Sequence, residues 1–182
     1  RQAALALGTD LADHSLEELE GREYYGEYRG DTDPMGSAKL NPVSHVAYSY
    51  ATQVAVLDEA GKVAKLIAAH DVGRAINPTS LEGQIEGGVV MGLGYALTED
   101  FPLQNGRPTA RFGTLGLWRA TDIPEIICRI IEKNPSPLAY GAKGIGEIAA
   151  IPAAPAVAGA YFRRDKKVRT SLPLPGTPYR RQ

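Results

Sequence analysis

Between Val46 and Leu57 apolar and polar residues alternate loosely, and the stretch is rich in Tyr, Thr and Val, which predicts a strand. Asp58, Glu59, Ala60 and Gly61 supply a turn, and Val63 to Ala69 returns as a second strand, so the two form a hairpin. Asn77-Pro78-Thr79 then stops the extended chain and opens a helix, with Thr79 as its cap. That helix runs to about Glu99 and carries Leu81, Ile85, Val89, Leu93 and Leu97 at four-residue spacing, a single apolar stripe. Ile126 to Glu132 predicts a third strand in the hairpin's sheet, ended by Pro135 and Pro137. Ile151 to Arg164 predicts a second helix, with Pro152 and Pro155 tolerated because they lie in or near its first turn.

Outside these elements the pattern is less regular. Arg1 to Leu19 reads as a helix, apolar first and acidic later, and Gly21 to Pro42 as an irregular loop. The tail, with Pro173, Pro175 and Pro178, reads as extended chain laid over a surface or a partner. The fold class expected is α+β: a small, mostly antiparallel sheet packed against two main helices. Three segments follow: 1–42, helix and irregular chain; 43–165, the main body; and 166–182, the tail.

Composition narrows the function classes. Hydrophobic residues make up 43% of the 182 and charged residues 23%, enough to bury a core. A net charge of −1 gives no global field to recruit nucleic acid or an anionic membrane. The run Arg163, Arg164, Lys166, Lys167, Arg169 reads as a solvated helix end. The only cysteine, Cys128, excludes an internal disulfide and a cysteine-ligated iron–sulfur cluster held by this chain alone, and reads as a buried, inert thiol. The chain starts at Arg1, as a fragment or processed product would, and has no apolar run of about 18 residues; a soluble, cytoplasmic protein is expected.

Two clusters could carry chemistry. The first is Gly141-Ala142-Lys143-Gly144-Ile145-Gly146-Glu147, just ahead of the second helix. Its glycines allow positive φ and close backbone approach, and its carboxylate would lie near a helix N-terminus. A glycine-rich turn with a helix-capping Glu, an anion nest, or a presented catalytic acid all satisfy this pattern. A P-loop does not, because the spacing is wrong and no Ser or Thr follows Lys143. The second cluster is His70-Asp71-Val72-Gly73-Arg74-Ala75-Ile76-Asn77-Pro78, running into Glu82-Gly83-Gln84-Ile85-Glu86-Gly87-Gly88. Convergent polar groups there suit a polar ligand or a network tying strand to helix. His70 reads as a structural histidine rather than a metal ligand, and His14 and His45 have no supporting context. Gly83, Gly87, Gly88, Gly92 and Gly94 each cost about 1 kcal/mol relative to Ala in a helix. They call for tight helix–sheet packing, close approach of another backbone, or a bulky ligand.

Taken together, AAHDVGRAINPTSLEGQIEGGVVMGLGYALTED and GAKGIGEIAAIPAAPAVAGA resemble the xanthine oxidase/aldehyde oxidase family of molybdenum hydroxylases, over about Val43 to Tyr161. The likeness is to the end of the second molybdopterin-binding domain of the large subunit, closest to xanthine-dehydrogenase-like members. It implies a molybdenum–molybdopterin cofactor shared with upstream regions. Glu147 matches the glutamate of the family's Lys-Gly-x-Gly-Glu motif, the general base on the molybdenum-bound hydroxyl. Gln84 matches the glutamine whose amide hydrogen-bonds the pterin, and Lys143, Gly144 and Gly146 shape the loop that presents the base. No protein ligand to the metal is implied in this chain. Implied partners are the remainder of the large subunit, iron–sulfur and FAD domains or subunits, and a small-molecule substrate, either a purine-like heterocycle or an aldehyde; neither nucleic acid nor membrane is among them.

Two features depart from the pattern. Ile148 stands where many relatives have proline after the glutamate, and the family's other cofactor- and substrate-facing loops lie upstream of Arg1. The rival expectation is a non-catalytic fragment that folds without binding cofactor, and the isolated polypeptide is expected to be inactive under either reading. A glycine-rich nucleotide-binding module would need a phosphate-binding strand–loop–helix, which neither glycine cluster supplies.

Overall fold

A computed structural model describes residues 8, 13–27, 29–137 and 139–179, and the chain divides into two compact units, Arg1–Val46 and Ala47–Gln182. In the first unit a short helix, α1 (Leu16–Leu19), opens on a capping box. The Ser15 hydroxyl accepts from the Glu18 amide at 3.2 Å, and the Glu18 carboxylate accepts from the Ser15 amide at 3.1 Å. Residues 1–7 and 9–12 of the helix expected over Arg1 to Leu19 lie outside the described residues. Further on, Asp33 closes the irregular segment: its carboxylate pairs with Lys39 and accepts the Val43 amide at 2.8 Å.

The second unit is built on the predicted hairpin, β1 (Tyr50–Leu57) and β2 (Val63–Asp71), paired antiparallel with Val54 opposite Ile67. Gly61 takes φ +82° in the turn, and the Asp58 amide donates to the Lys62 carbonyl at 2.8 Å. Helix α2 (Pro78–Leu97) follows. Its cap is Asn77, not Thr79: the Asn77 side chain accepts the Ser80 amide at 3.1 Å. Proline takes the first helical position, where a missing N–H costs nothing, and this moves the cap back to the residue before it.

Two short strands, β3 (Leu103–Gln104) and β4 (Arg107–Pro108), are joined by Asn105 and Gly106 at φ 51° and 75°, as a two-residue hairpin turn with positive φ at both positions requires. The last strand, β5 (Glu125–Ile131), pairs with β2 in parallel, giving the order β1-β2-β5. The fold is α+β as expected, but the sheet is mixed, with one antiparallel and one parallel ladder. The tight turn forces the first pair to be antiparallel, whereas the route from β2 to β5 passes through α2, the kind of crossover that brings a strand back in the same direction. Helix α3 (Ala153–Asp165) starts two residues later than predicted, with Pro152 at its cap.

The core lies between the sheet and the two helices. Ile85, Val89, Leu93 and Leu97 form the predicted stripe, fully buried against Leu66, Ala68 and Val157. The tail covers this unit's own core. Leu174 is buried and its amide donates to the Ala96 carbonyl at 2.7 Å, while the Tyr179 hydroxyl accepts from the Val63 amide at 2.7 Å and its ring stacks on Trp118. The basic run is only partly solvated. Arg164 donates to the carbonyls of Asp58 and Glu59 at 2.8 and 2.6 Å, and Arg169 grips Asp165 at 2.6 Å, holding that carboxyl down to about 2. Cys128 is half-buried, and burial, reinforced by Glu86 and Glu82, raises its thiol pKa, so the thiolate is disfavoured. Among the described residues no helix is long and apolar enough to cross a membrane.

Candidate functional site

The site assembles where β2 ends. Asp71, its last residue, is buried and accepts three hydrogen bonds: from the Gly73 amide at 3.1 Å, Asn134 Nδ2 at 3.0 Å and Lys143 Nζ at 3.3 Å. Burial alone would raise the Asp71 pKa, but these donors outweigh it and hold the carboxyl below the usual range. The Lys143 side chain is 4% exposed, and its ammonium also lies 5.4 Å from the centre of the Tyr50 ring. Lys143 therefore fastens the glycine loop to the end of β2.

Backbone pairing extends this seam. The Lys143 amide donates to the Val72 carbonyl at 2.9 Å, and the Gly141 carbonyl accepts from Arg74 at 2.9 Å and from Ser136 at 3.0 Å. Gly73, at φ +66°, is where the two segments come closest: a Cβ there would stand 2.2 Å from the Gly141 oxygen. Just upstream, Ala139 and Tyr140 hold left-handed φ of 50° and 56° ahead of Gly141 at 93°. Non-glycine residues in that region store about 1–3 kcal/mol each, so the surrounding structure over-determines this loop.

Glu147 is exposed in a single 3₁₀ turn, Glu147–Ala149, and does not cap α3, which begins at Ala153. The expected helix-dipole effect on its carboxylate therefore has no geometric basis, since such effects fade within a turn of the helix end. The turn instead sits on the sheet and on α2. Gln53 Nε2 donates to the Ala149 carbonyl at 2.7 Å, and the Ser49 hydroxyl donates to the Gly144 carbonyl at 3.0 Å. Ala149 presses on Gly88, where a Cβ would come within 2.5 Å of its own, and Gly92 similarly accommodates Ala150 and Ala153. Those two glycines are explained by packing. At Gly83, Gly87, Gly144 and Gly146 an added Cβ would meet nothing within 4 Å, so their backbone stands open.

Gln84 is exposed on the second turn of α2. It lines a cleft of about 220 Å³ with Arg74, Asn77 and Ser80 on its own side and Ala142, Lys143 and Ile145 on the other. A second cleft of about 350 Å³ lies across Lys143, bordered by Tyr48, Tyr50, Asn134 and Ser136. Of the five residues singled out from sequence, Gln84 and Lys143 share a cleft; Gly144, Gly146 and Glu147 follow from its wall but line neither cavity. Among the described residues no group of three or more His, Cys, Asp or Glu is arranged to hold a metal ion.

Sequence reasoning missed Asn134, Tyr50 and Gln53. Gln53 carried a readable signal: it is the polar member of the inward-facing set Ala51, Gln53, Ala55, Leu57 on β1. Asn134 and Tyr50 carried none, because their contacts with Asp71 and Lys143 span long sequence separations.

A family model described as a molybdopterin cofactor-binding domain matches residues 5–124. The 6-hydroxypseudooxynicotine dehydrogenase complex subunit gamma of Paenarthrobacter nicotinovorans is 34% identical over 142 residues, covering 72% of this chain and 18% of the relative. The xanthine dehydrogenase molybdenum-binding subunit of Escherichia coli O157:H7 is 33% identical over 119 residues, covering 64% and 16% respectively. Among solved structures, quinoline 2-oxidoreductase from Pseudomonas putida 86 superposes with a TM-score of 0.57 at 31% identity, over 63% of this chain and 16% of that one. The chain thus spans about a sixth of the length of the relatives it matches.

Proposed function

The chain belongs to the molybdopterin cofactor-binding domain family, and from that premise we propose that it is a portion of the large subunit of a xanthine-dehydrogenase-type hydroxylase, with Glu147 as general base. The observation that carries the proposal is the cleft between α2 and the glycine loop. One wall offers the Gln84 amide, and the other continues within two residues, from Ile145, to Glu147. The residues present suit the edge of a polar heteroaromatic cofactor. An exposed amide can both donate and accept, and the bare backbone at Gly83, Gly87, Gly144 and Gly146 leaves room for close approach.

When bound, the molybdenum cofactor supplies the oxidising chemistry. The chain supplies binding and proton handling: Gln84 fixes the cofactor's edge, the Asp71–Lys143 pair anchors the loop, and a Glu147 carboxylate oxygen takes the proton released during hydroxylation. The substrate class is a purine-like or related nitrogen heterocycle, or an aldehyde. The names of the quinoline- and xanthine-oxidising relatives support the heterocycle. Iron–sulfur and FAD centres lie on other domains or subunits, and the isolated chain turns over no substrate.

Replacing Glu147 by Gln in the cofactor-loaded protein should abolish turnover with molybdenum content unchanged, whereas Gln84→Ala should lower cofactor occupancy. Near-normal turnover by the Glu147→Gln protein would remove the base from this assignment.

A further inference from the structure

Two polar side chains lie beneath the Glu147–Ala149 turn in an otherwise apolar layer. Gln53 on β1 is 8% exposed and His70 on β2 is fully buried. In the strand register Gln53 faces Ala68, so His70, two residues on, is its diagonal neighbour on the inward face. Gln53 donates to the Ala149 carbonyl at 2.7 Å. Both His70 ring nitrogens are buried without a hydrogen-bond partner. Burial lowers the His70 pKa, so the ring is neutral at physiological pH, with one N–H to give.

These positions are poor choices for stability alone. Gln53 Oε1 and both His70 nitrogens are buried without a hydrogen-bond partner, and each such atom costs about 1–3 kcal/mol. Apolar residues of similar size would pack against Leu66, Ala68 and Ala149 without that cost. Gln53 nevertheless directs its amide N–H at the Ala149 carbonyl, two residues after Glu147.

We propose that Gln53 is a positioning residue that clamps the Glu147–Ala149 turn from below and so fixes where the Glu147 carboxylate projects. The clamp stands on the geometry just given; its consequence for catalysis rests on the general-base reading of Glu147. From below, the turn is held by Gln53, and from the side by the Gly88–Ala149 contact, so its backbone has little freedom left.

Hydrogen–deuterium exchange on the chain tests the clamp without any cofactor. Gln53→Leu should speed exchange in the peptide spanning residues 147–150 by roughly tenfold, the effect of losing one net hydrogen bond. The amides of Gly92 to Leu97 in α2 should be unchanged. Unchanged exchange in Gln53→Leu overturns the clamp, as does equal loosening of α2. Should Gln53→Leu not fold, Gln53→Met, which keeps the length without the N–H, carries the same test. In the cofactor-loaded protein, Gln53→Leu should lower kcat about tenfold with KM unchanged. A loosened turn with normal kcat would keep the clamp and overturn the base assignment instead.

Discussion

Gly73→Ala probes the seam on which the whole loop depends. Gly73 sits at φ +66°, a left-handed conformation that costs an alanine about 1 kcal/mol or more. The new methyl would lie 2.2 Å from the Gly141 oxygen, far inside contact distance, and the neighbour is backbone rather than a flexible side chain. That oxygen accepts from both Arg74 and Ser136, so moving it away strains two hydrogen bonds worth about 1 kcal/mol each. The sum is about 3 kcal/mol of lost stability, which for a chain of this size lowers Tm by about 6–12 °C. Urea unfolding followed by fluorescence of Trp118, the only tryptophan, reads this directly, because that ring packs on Tyr179 over the core. Because the loop is displaced as well as weakened, cofactor retention should fall in the same variant. A loss under about 1 kcal/mol would mean that the seam yields easily and that the close approach at Gly73 does not position the loop.

The helix glycines give a paired prediction. Gly88→Ala should destabilise by about 1–3 kcal/mol through overpacking against Ala149, whereas Gly87→Ala, open to 4 Å, should stabilise the isolated chain by up to about 1 kcal/mol; urea midpoints of the two variants should move in opposite directions. Asp71 gives a pH signature. Its folded pKa is depressed, so its contribution to stability is present above the unfolded value of about 3.9 and is lost as pH falls through the lower folded value. The drop in urea midpoint between pH 5 and pH 3 should be shallower in Asp71→Asn, which starts from a lower baseline because Lys143 is left buried without its partner.

How far the chain could be read without coordinates depended on whether each signal was local. The hairpin, the stripe from Ile85 to Leu97 and the α+β class follow from periodicity and turn chemistry, which adjacent residues carry. The direction of β5 does not, since alternation looks the same in either orientation. The start of α3 was readable in part: Ile151 precedes Pro152, and a residue before proline is biased away from helical geometry, which leaves Glu147 in a turn of its own. Gln84, Lys143, Gly144, Gly146 and Glu147 were singled out by motif, but the contacts among Asp71, Asn134, Lys143 and Tyr50 are tertiary and leave no local trace.

The glycines of α2 show the boundary most clearly. Sequence gives them all one cost and no way to tell them apart. The fold divides them: Gly88 and Gly92 are pressed by the chain's own Ala149, Ala150 and Ala153 and Gly94 by the Glu99 side chain, while Gly83 and Gly87 face open space. Packing within this chain accounts for the first three and leaves about 1 kcal/mol unexplained at each of the last two. Gly83 and Gly87 are one turn apart and flank Gln84, on the stretch of helix that borders the cleft. A contact from outside this chain, made where the amide is presented, would recover that cost, and it is the same contact that the proposed cofactor-binding role requires.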